Sequence, residues 1–314
     1  MPAKIQGKID VHPHVYPPAY TAAIKAHGGD PSGWYIPSWT VEADHAICRE
    51  IGISTAILSC TAPGPGIEPD VEKAQQLART CNEFSAGLRD ADPTAYGFFA
   101  SVPSLLDTKA VLEEIDYALD VLNADGVVLM TRYGSNNHYL GHPSFIPIWD
   151  ALNKRKAIVF VHPSSPANYR SESDWVNKNI PGPAWDYAHE TGRTAIDLIT
   201  SSMRRDHARE CKIILAHAGG TLPYLVGRAA GLLPYSFLRS KTCEEYLEDA
   251  RMFYYDTALS SSDMQSAALR ELLKDGCENH MLFGSDPPNA PKETIEHFTM
   301  RLENASRSQH TSLC

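Results

Sequence analysis

Several protein classes are excluded by what this sequence lacks. Its seven cysteines are scattered, odd in number and free of any Cys-x-x-Cys pair. That argues against a disulfide framework and for a reduced, cytoplasmic chain with buried thiols. No apolar run is long enough to span a bilayer. The opening residues, Met1 to Lys8, contain no apolar signal core. Positive charge is scarce: 28 basic against 38 acidic residues give a formal net charge of -10. A nucleic-acid surface is not expected on such a chain, and an anionic ligand would have to be met by a metal or a few arginines. There is no GxGxxG or Walker pattern, no internal repeat and no interdomain linker.

What is present has the balance of a globular protein, with 43% apolar and 21% charged residues among 314. Eight apolar runs recur at regular intervals, over 9–12, 55–59, 96–102, 126–130, 157–161, 212–216, 252–256 and 280–284. Several are continuous, as in Val127-Val128-Leu129-Met130 and Ile158-Val159-Phe160-Val161. Continuous runs suit strands buried on both faces of a parallel sheet. Helical periodicity is read over 69–89, 108–122, 144–155, 191–205, 222–233, 262–274 and 293–302. The alternation predicts an α/β fold, a (β/α)8 TIM barrel, with 1–304 as a single domain and 305–314 as a polar tail. Two aromatic stretches, 15–40 and 163–190, interrupt the rhythm after strands 1 and 5 and are expected to be lids over the barrel mouth. Trp185 in the second is a candidate for stacking on a substrate.

The chemistry gathers at strand ends. His12 and His14 end the first run, and their i, i+2 spacing turns both to one side. His162 ends the fifth, His217 the sixth and Asp286 the eighth. In a barrel these ends converge on one mouth. Imidazoles and a carboxylate form a borderline-hard site suited to one divalent ion, Zn2+ or Mn2+. The fourth run ends Met130-Thr131-Arg132, without a lysine that could be carbamylated to bridge two metals. The remaining histidines are given no chemical role.

These motifs, His12-Pro13-His14, His162-Pro163, His217-Ala218-Gly219-Gly220 and Gly284-Ser285-Asp286, together resemble the amidohydrolase superfamily. Within it they resemble the decarboxylase branch typified by aminocarboxymuconate-semialdehyde decarboxylase. The runs His12-Pro13-His14-Val15-Tyr16-Pro17-Pro18 and Thr61-Ala62-Pro63-Gly64 are most similar to its 6-methylsalicylate decarboxylases. The resemblance implies His12, His14, His162 and Asp286 as metal ligands and His217 as an acid-base residue behind them. It implies no organic cofactor, a small aromatic carboxylate as substrate, and a homodimer in which Arg228 reaches the neighbouring subunit's substrate. Resorcylate decarboxylases of the branch carry glutamate where this chain has Gly220, so a resorcylate-type proton relay is not expected.

The expected reaction is non-oxidative loss of carbon dioxide from an ortho-hydroxybenzoate, with Asp286 or His217 delivering the proton. A mononuclear metal hydrolase of an amide, ester or lactone is the alternative, using the same ligands to activate water. A catalytically silent binding barrel is a third reading.

Overall fold

A computed structural model describes residues 7–165, 180–236 and 241–311. Eight parallel strands form one sheet: β1 Lys8–Asp10, β2 Ile53–Leu58, β3 Tyr96–Ser101, β4 Gly126–Met130, β5 Ile158–His162, β6 Lys212–Leu215, β7 Tyr254–Asp256 and β8 Met281–Leu282. Each pairs with its sequence neighbour in turn. Beyond the two end strands the ring is drawn together by backbone bonds from Val11 N to Phe283 O (3.0 Å) and from His14 N to Pro287 O (2.7 Å). Helices surround the sheet, giving the expected (β/α)8 barrel.

The strand period explains how the mouth is built. In β4, Val127 and Leu129 pack outward into the large core beneath the helices, while Val128 and Met130 point into the barrel beside Phe99, Phe160 and Ile214. In β5, Val159 and Val161 face outward and Phe160 faces in. His162 follows Phe160 by two residues, so it inherits the inward direction at the strand's C-terminal end.

Three longer helices escaped the periodicity reading: Pro18–Ala26, Val41–Ile51 and Cys243–Arg251. The last buries only Tyr246, Asp249 and Ala250, too few for a clear apolar stripe. Its signal is the Thr242–Glu245 capping box, in which each residue satisfies the other's backbone N–H. The closing helix runs Lys292–Thr311, well into the stretch read as a polar tail.

The two interruptions are organised differently from loops. The first contains the helix Pro18–Ala26, and its aromatics fold onto the segment after β8. Tyr16 donates to Asn289 Oδ1 (2.6 Å), and Trp34 and Tyr35 donate to the Asn289 carbonyl (3.3 and 3.1 Å). In the second, Tyr169 and Trp175 lie outside the described residues. From Gly182 onward it is a helix, Gly182–Thr200, begun by Pro183 in its first turn. Trp185, Tyr187 and His189 therefore belong to a helix, not to a lid loop. No helix among the described residues is long and apolar enough to cross a membrane, and Cys48, Cys60, Cys81, Cys211 and Cys243 are free thiols.

Candidate metal centre

His12, His14, His162, His217 and Asp286 meet at the C-terminal ends of β1, β5, β6 and β8. Ligand atoms of His12, His14 and His162 lie within 4.8 Å of one another, as do those of His12, His217 and Asp286. His12 and His14 are fully buried, His162 is 3% exposed and Asp286 8%. His14 Nε2 stands 3.3 Å from Asp286 Oδ1.

Each imidazole is held from behind, which fixes the face it presents. His12 Nδ1 bonds to Asp256 Oδ2 (2.8 Å). His162 Nδ1 bonds to the Pro163 carbonyl (2.8 Å), His217 Nδ1 to the Ala258 carbonyl (3.0 Å) and His14 Nδ1 to the Ser59 carbonyl (3.3 Å). A carbonyl or carboxylate only accepts, so Nδ1 carries the proton in His12, His162 and His217, whereas His14 Nδ1 also lies 3.2 Å from the Ser59 hydroxyl, which can donate as well as accept. In those three rings Nε2 is left as a lone pair. His12 Nε2, His14 Nε2 and Asp286 Oδ1 are buried without a hydrogen-bond partner among the described residues. Orphaned buried acceptors are costly unless something electrophilic satisfies them. Clustered imidazole nitrogens and a carboxylate fit a divalent cation, and this donor set suits Zn2+ or Mn2+.

At His14, His162 and His217 electrostatics agree with that chemistry. Burial pulls His14 and His217 below the ordinary histidine range and His162 well below it, reinforced at His162 by the neighbouring imidazoles. Neutral rings are the form that ligates. Burial also pulls His12 down, but the charge and hydrogen bond of Asp256, with Asp286 adding, outweigh it and hold His12 above its usual value. Burial pushes Asp286 up, yet the close approach of His14 Nε2 and the charges of His12 and His14 prevail and keep it low.

Asp256 was given no role from sequence, although it ends the seventh run. It is fully buried. Besides His12 it accepts from the backbone N–H groups of His217 (3.0 Å) and Ala258 (2.9 Å). One carboxylate thus orients a ring from β1 and the turn after β6. Asp10, also fully buried, accepts from His12 N and Ser285 N and from the Ser285 hydroxyl, tying the β1 end to the segment carrying Asp286. Burial raises its carboxyl to about 6. His217 (φ 54°), Ala218 (φ 57°) and Asp286 (φ 69°) hold left-handed backbone conformations unusual for non-glycine residues. At Gly220 (φ 58°) a Cβ would overlap the Ala188 carbonyl, so this packing has no room for a glutamate.

A cavity of about 570 Å³ is lined among others by Ala62, Met130, Arg132, Ser164 and Tyr187; none of the five clustered residues is in its lining, and it adjoins them through Met130, the register partner of His162, and through Tyr187. His27 and Asp30 of the first interruption also border it. Tyr187 brings its ring centroid to 6.3 Å from that of His162. Trp185 is 55% exposed, packs edge-on against His189 (5.4 Å) and does not line this cavity. Tyr187, two residues on, is the ring that does. Arg228 is exposed on the helix Leu222–Leu232 and borders a different groove with His189, Arg193 and Leu225.

A family model described as amidohydrolase matches residues 9–303. The chain is 56% identical over 300 residues to 6-methylsalicylic acid decarboxylase of Penicillium expansum, covering 94% of this chain and 89% of that one. It is 53% identical over 300 residues to 6-methylsalicylic acid decarboxylase acuB of Aspergillus aculeatus, covering 94% and 88%. Among solved structures, a dihydroxybenzoic acid decarboxylase from Polaromonas with bound manganese and 2-nitroresorcinol superposes with a TM-score of 0.75 at 22% identity, covering 95% of this chain and 91% of that one.

Proposed function

This chain belongs to the amidohydrolase family and is a carboxy-lyase of its decarboxylase branch, and on that premise we propose that it removes carbon dioxide from 6-methylsalicylate, giving 3-methylphenol. The observation that carries this reading is the set of inward Nε2 lone pairs with the orphaned Asp286 oxygen. His12, His14, His162 and Asp286 would hold one Zn2+ or Mn2+. When bound, such an ion supplies a Lewis acid that can orient a carboxylate and an ortho hydroxyl and draw charge from the ring.

The chain's own groups then handle the proton. Asp286 enters the cycle ionised, because its surroundings hold it low. Arrival of an anionic carboxylate beside it favours proton uptake, since like charges disfavour joint ionisation. Asp286 delivers that proton to the ring carbon bearing the carboxylate. The carbon–carbon bond breaks, its electron pair restores aromaticity and carbon dioxide departs. His217, with Nδ1 committed to Ala258, offers Nε2 to hold Asp286 or a water in place. Tyr187 and the apolar wall of Ala62, Val128 and Met130 would face the ring and exclude water. The direct test is carbon dioxide release from 6-methylsalicylate combined with metal analysis of the purified protein. Release of carbon dioxide with equimolar 3-methylphenol is expected, and a protein inert towards every ortho-hydroxybenzoate would overturn the reading.

The proposal includes a homodimer in which Arg228 serves the partner's site. Its exposure and its distance in the fold from the chain's own cavity support action across subunits, and a guanidinium pairs well with a carboxylate. Mixing two inactive variants, Arg228→Ala and His162→Ala, should restore part of the activity, because one site of a mixed dimer then carries neither lesion. A mixture that stays inactive, or a strictly monomeric protein, would rule this out.

A further inference from the structure

The wall of the cavity facing β4 and β5 carries polar chemistry that the reaction above leaves unused. Arg132 lies two residues beyond Met130, and Met130 is the register partner of His162. The chain bends at Thr131, and Arg132 opens a short antiparallel hairpin, Arg132–Tyr133 with His138–Tyr139, that borders the cavity just beyond the β4 end. Ser164 and Ser165 follow His162 on the adjoining strand end and border the same cavity. Ser164 is fixed by Thr131, Oγ to Oγ1 at 3.2 Å. Ser165 Oγ and Arg132 Nε are buried polar atoms without a hydrogen-bond partner among the described residues.

Behind Arg132 stands Glu190, the two forming an ion pair with both side chains 7% exposed. Tyr139 donates to the other carboxylate oxygen (3.2 Å), and its ring lies 5.0 Å from the guanidinium carbon. Glu190 sits three residues after Tyr187, so one helix face sends Tyr187 towards His162 and Glu190 towards Arg132. Arg132 is therefore a charge-compensated donor. A second carboxylate arriving here would leave one buried negative charge uncompensated. A neutral hydroxyl would not: its oxygen accepts from the guanidinium and its O–H can donate to a serine oxygen.

We propose that Arg132, backed by Glu190 and joined by Ser165, recognises a hydroxyl on the ring edge remote from the reacting carboxylate, so that 2,4-dihydroxy-6-methylbenzoate is also a substrate. This rests on the decarboxylase reading and extends its substrate class. The matched pair to compare is 2,4-dihydroxy-6-methylbenzoate and 2-hydroxy-6-methylbenzoate, which differ only in that hydroxyl. Both are assayed by carbon dioxide release with the wild-type protein, Arg132→Met and Ser165→Ala. The quantity read is the ratio of kcat/KM for the dihydroxy to the monohydroxy acid. Loss of a hydrogen bond from a charged donor should lower that ratio about tenfold or more in Arg132→Met, with a smaller drop in Ser165→Ala. Ser165→Ala leaves the buried ion pair intact, so it tests the idea even if Arg132→Met folds poorly. An unchanged ratio in Ser165→Ala, with Arg132→Met either unchanged or slowing both acids alike, would show a structural role only and overturn the proposal. So would a wild-type protein that turns over the monohydroxy acid and ignores the dihydroxy one; turnover of neither would overturn the underlying reading as well.

Discussion

His12→Ala and His162→Ala proteins are expected to emerge from purification without stoichiometric metal and without measurable decarboxylation. His12 stands at the centre of the constellation, with ring centroids 5.0, 5.3 and 4.7 Å from those of His14, His162 and His217. Its removal also leaves Asp256 as a fully buried carboxylate stripped of one of its hydrogen-bond partners. Both losses act on the same site, so the defect should exceed what an outer partner causes. Asp256→Asn supplies that milder comparison. It can still accept at Oδ1 but no longer charges the His12 ring, and outer-shell changes of this kind typically cost about tenfold to a hundredfold in metal affinity. Titration with Zn2+ or Mn2+ under a competing chelator would rank wild type, Asp256→Asn and His12→Ala in that order. Chelator-stripped protein that retained full turnover would refute the metal centre outright.

The second large effect is expected at Asp286. In Asp286→Asn, kcat should fall by about a hundredfold to ten-thousandfold, the usual range for a general acid-base group, with a much smaller change in KM. His217→Ala should follow in the same direction. Because Asp286 also belongs to the ligand set, metal content must be measured on the same samples. Metal-replete Asp286→Asn that remains slow isolates proton delivery from metal binding. Normal kcat in both variants would dismiss them as the acid-base pair and send the search to other groups around the cavity.

The elements that were legible in the sequence share one property: their signals are local. All eight strands fall within two residues of their apolar runs, because a strand buried on both faces must be apolar almost throughout. The clustering of the candidate site residues was legible for a related reason. A residue that ends an apolar run of a parallel barrel has only the mouth to face, so four histidines and an aspartate at run ends could be grouped without knowing a single distance. The helix Cys243–Arg251 was not legible from periodicity, since most of its faces are wet and only its cap marks it. Periodicity marks Gly182–Thr200 only from residue 191, because the aromatic and proline content of its first turns resembles a loop.

Other features exist only in three dimensions. Asp256 acquires its role from a hydrogen bond to a residue 244 positions away. The proton positions on His12 and His217 follow from a carboxylate and a carbonyl contributed by distant parts of the chain. Trp185 and Tyr187 are equivalent aromatics in the sequence, and a helix rotation alone exposes the first and turns the second into the cavity. Arg132 and Glu190 are 58 residues apart in the numbering and become a buried pair only when the helix Gly182–Thr200 packs against the hairpin that follows β4. The sequence by itself determined which residues could reach the mouth, because strand period and run length are properties of the chain. Tertiary packing decided which of them are neutral, which are oriented and which are paired, because those properties depend on desolvation and on partners that sequence separation hides.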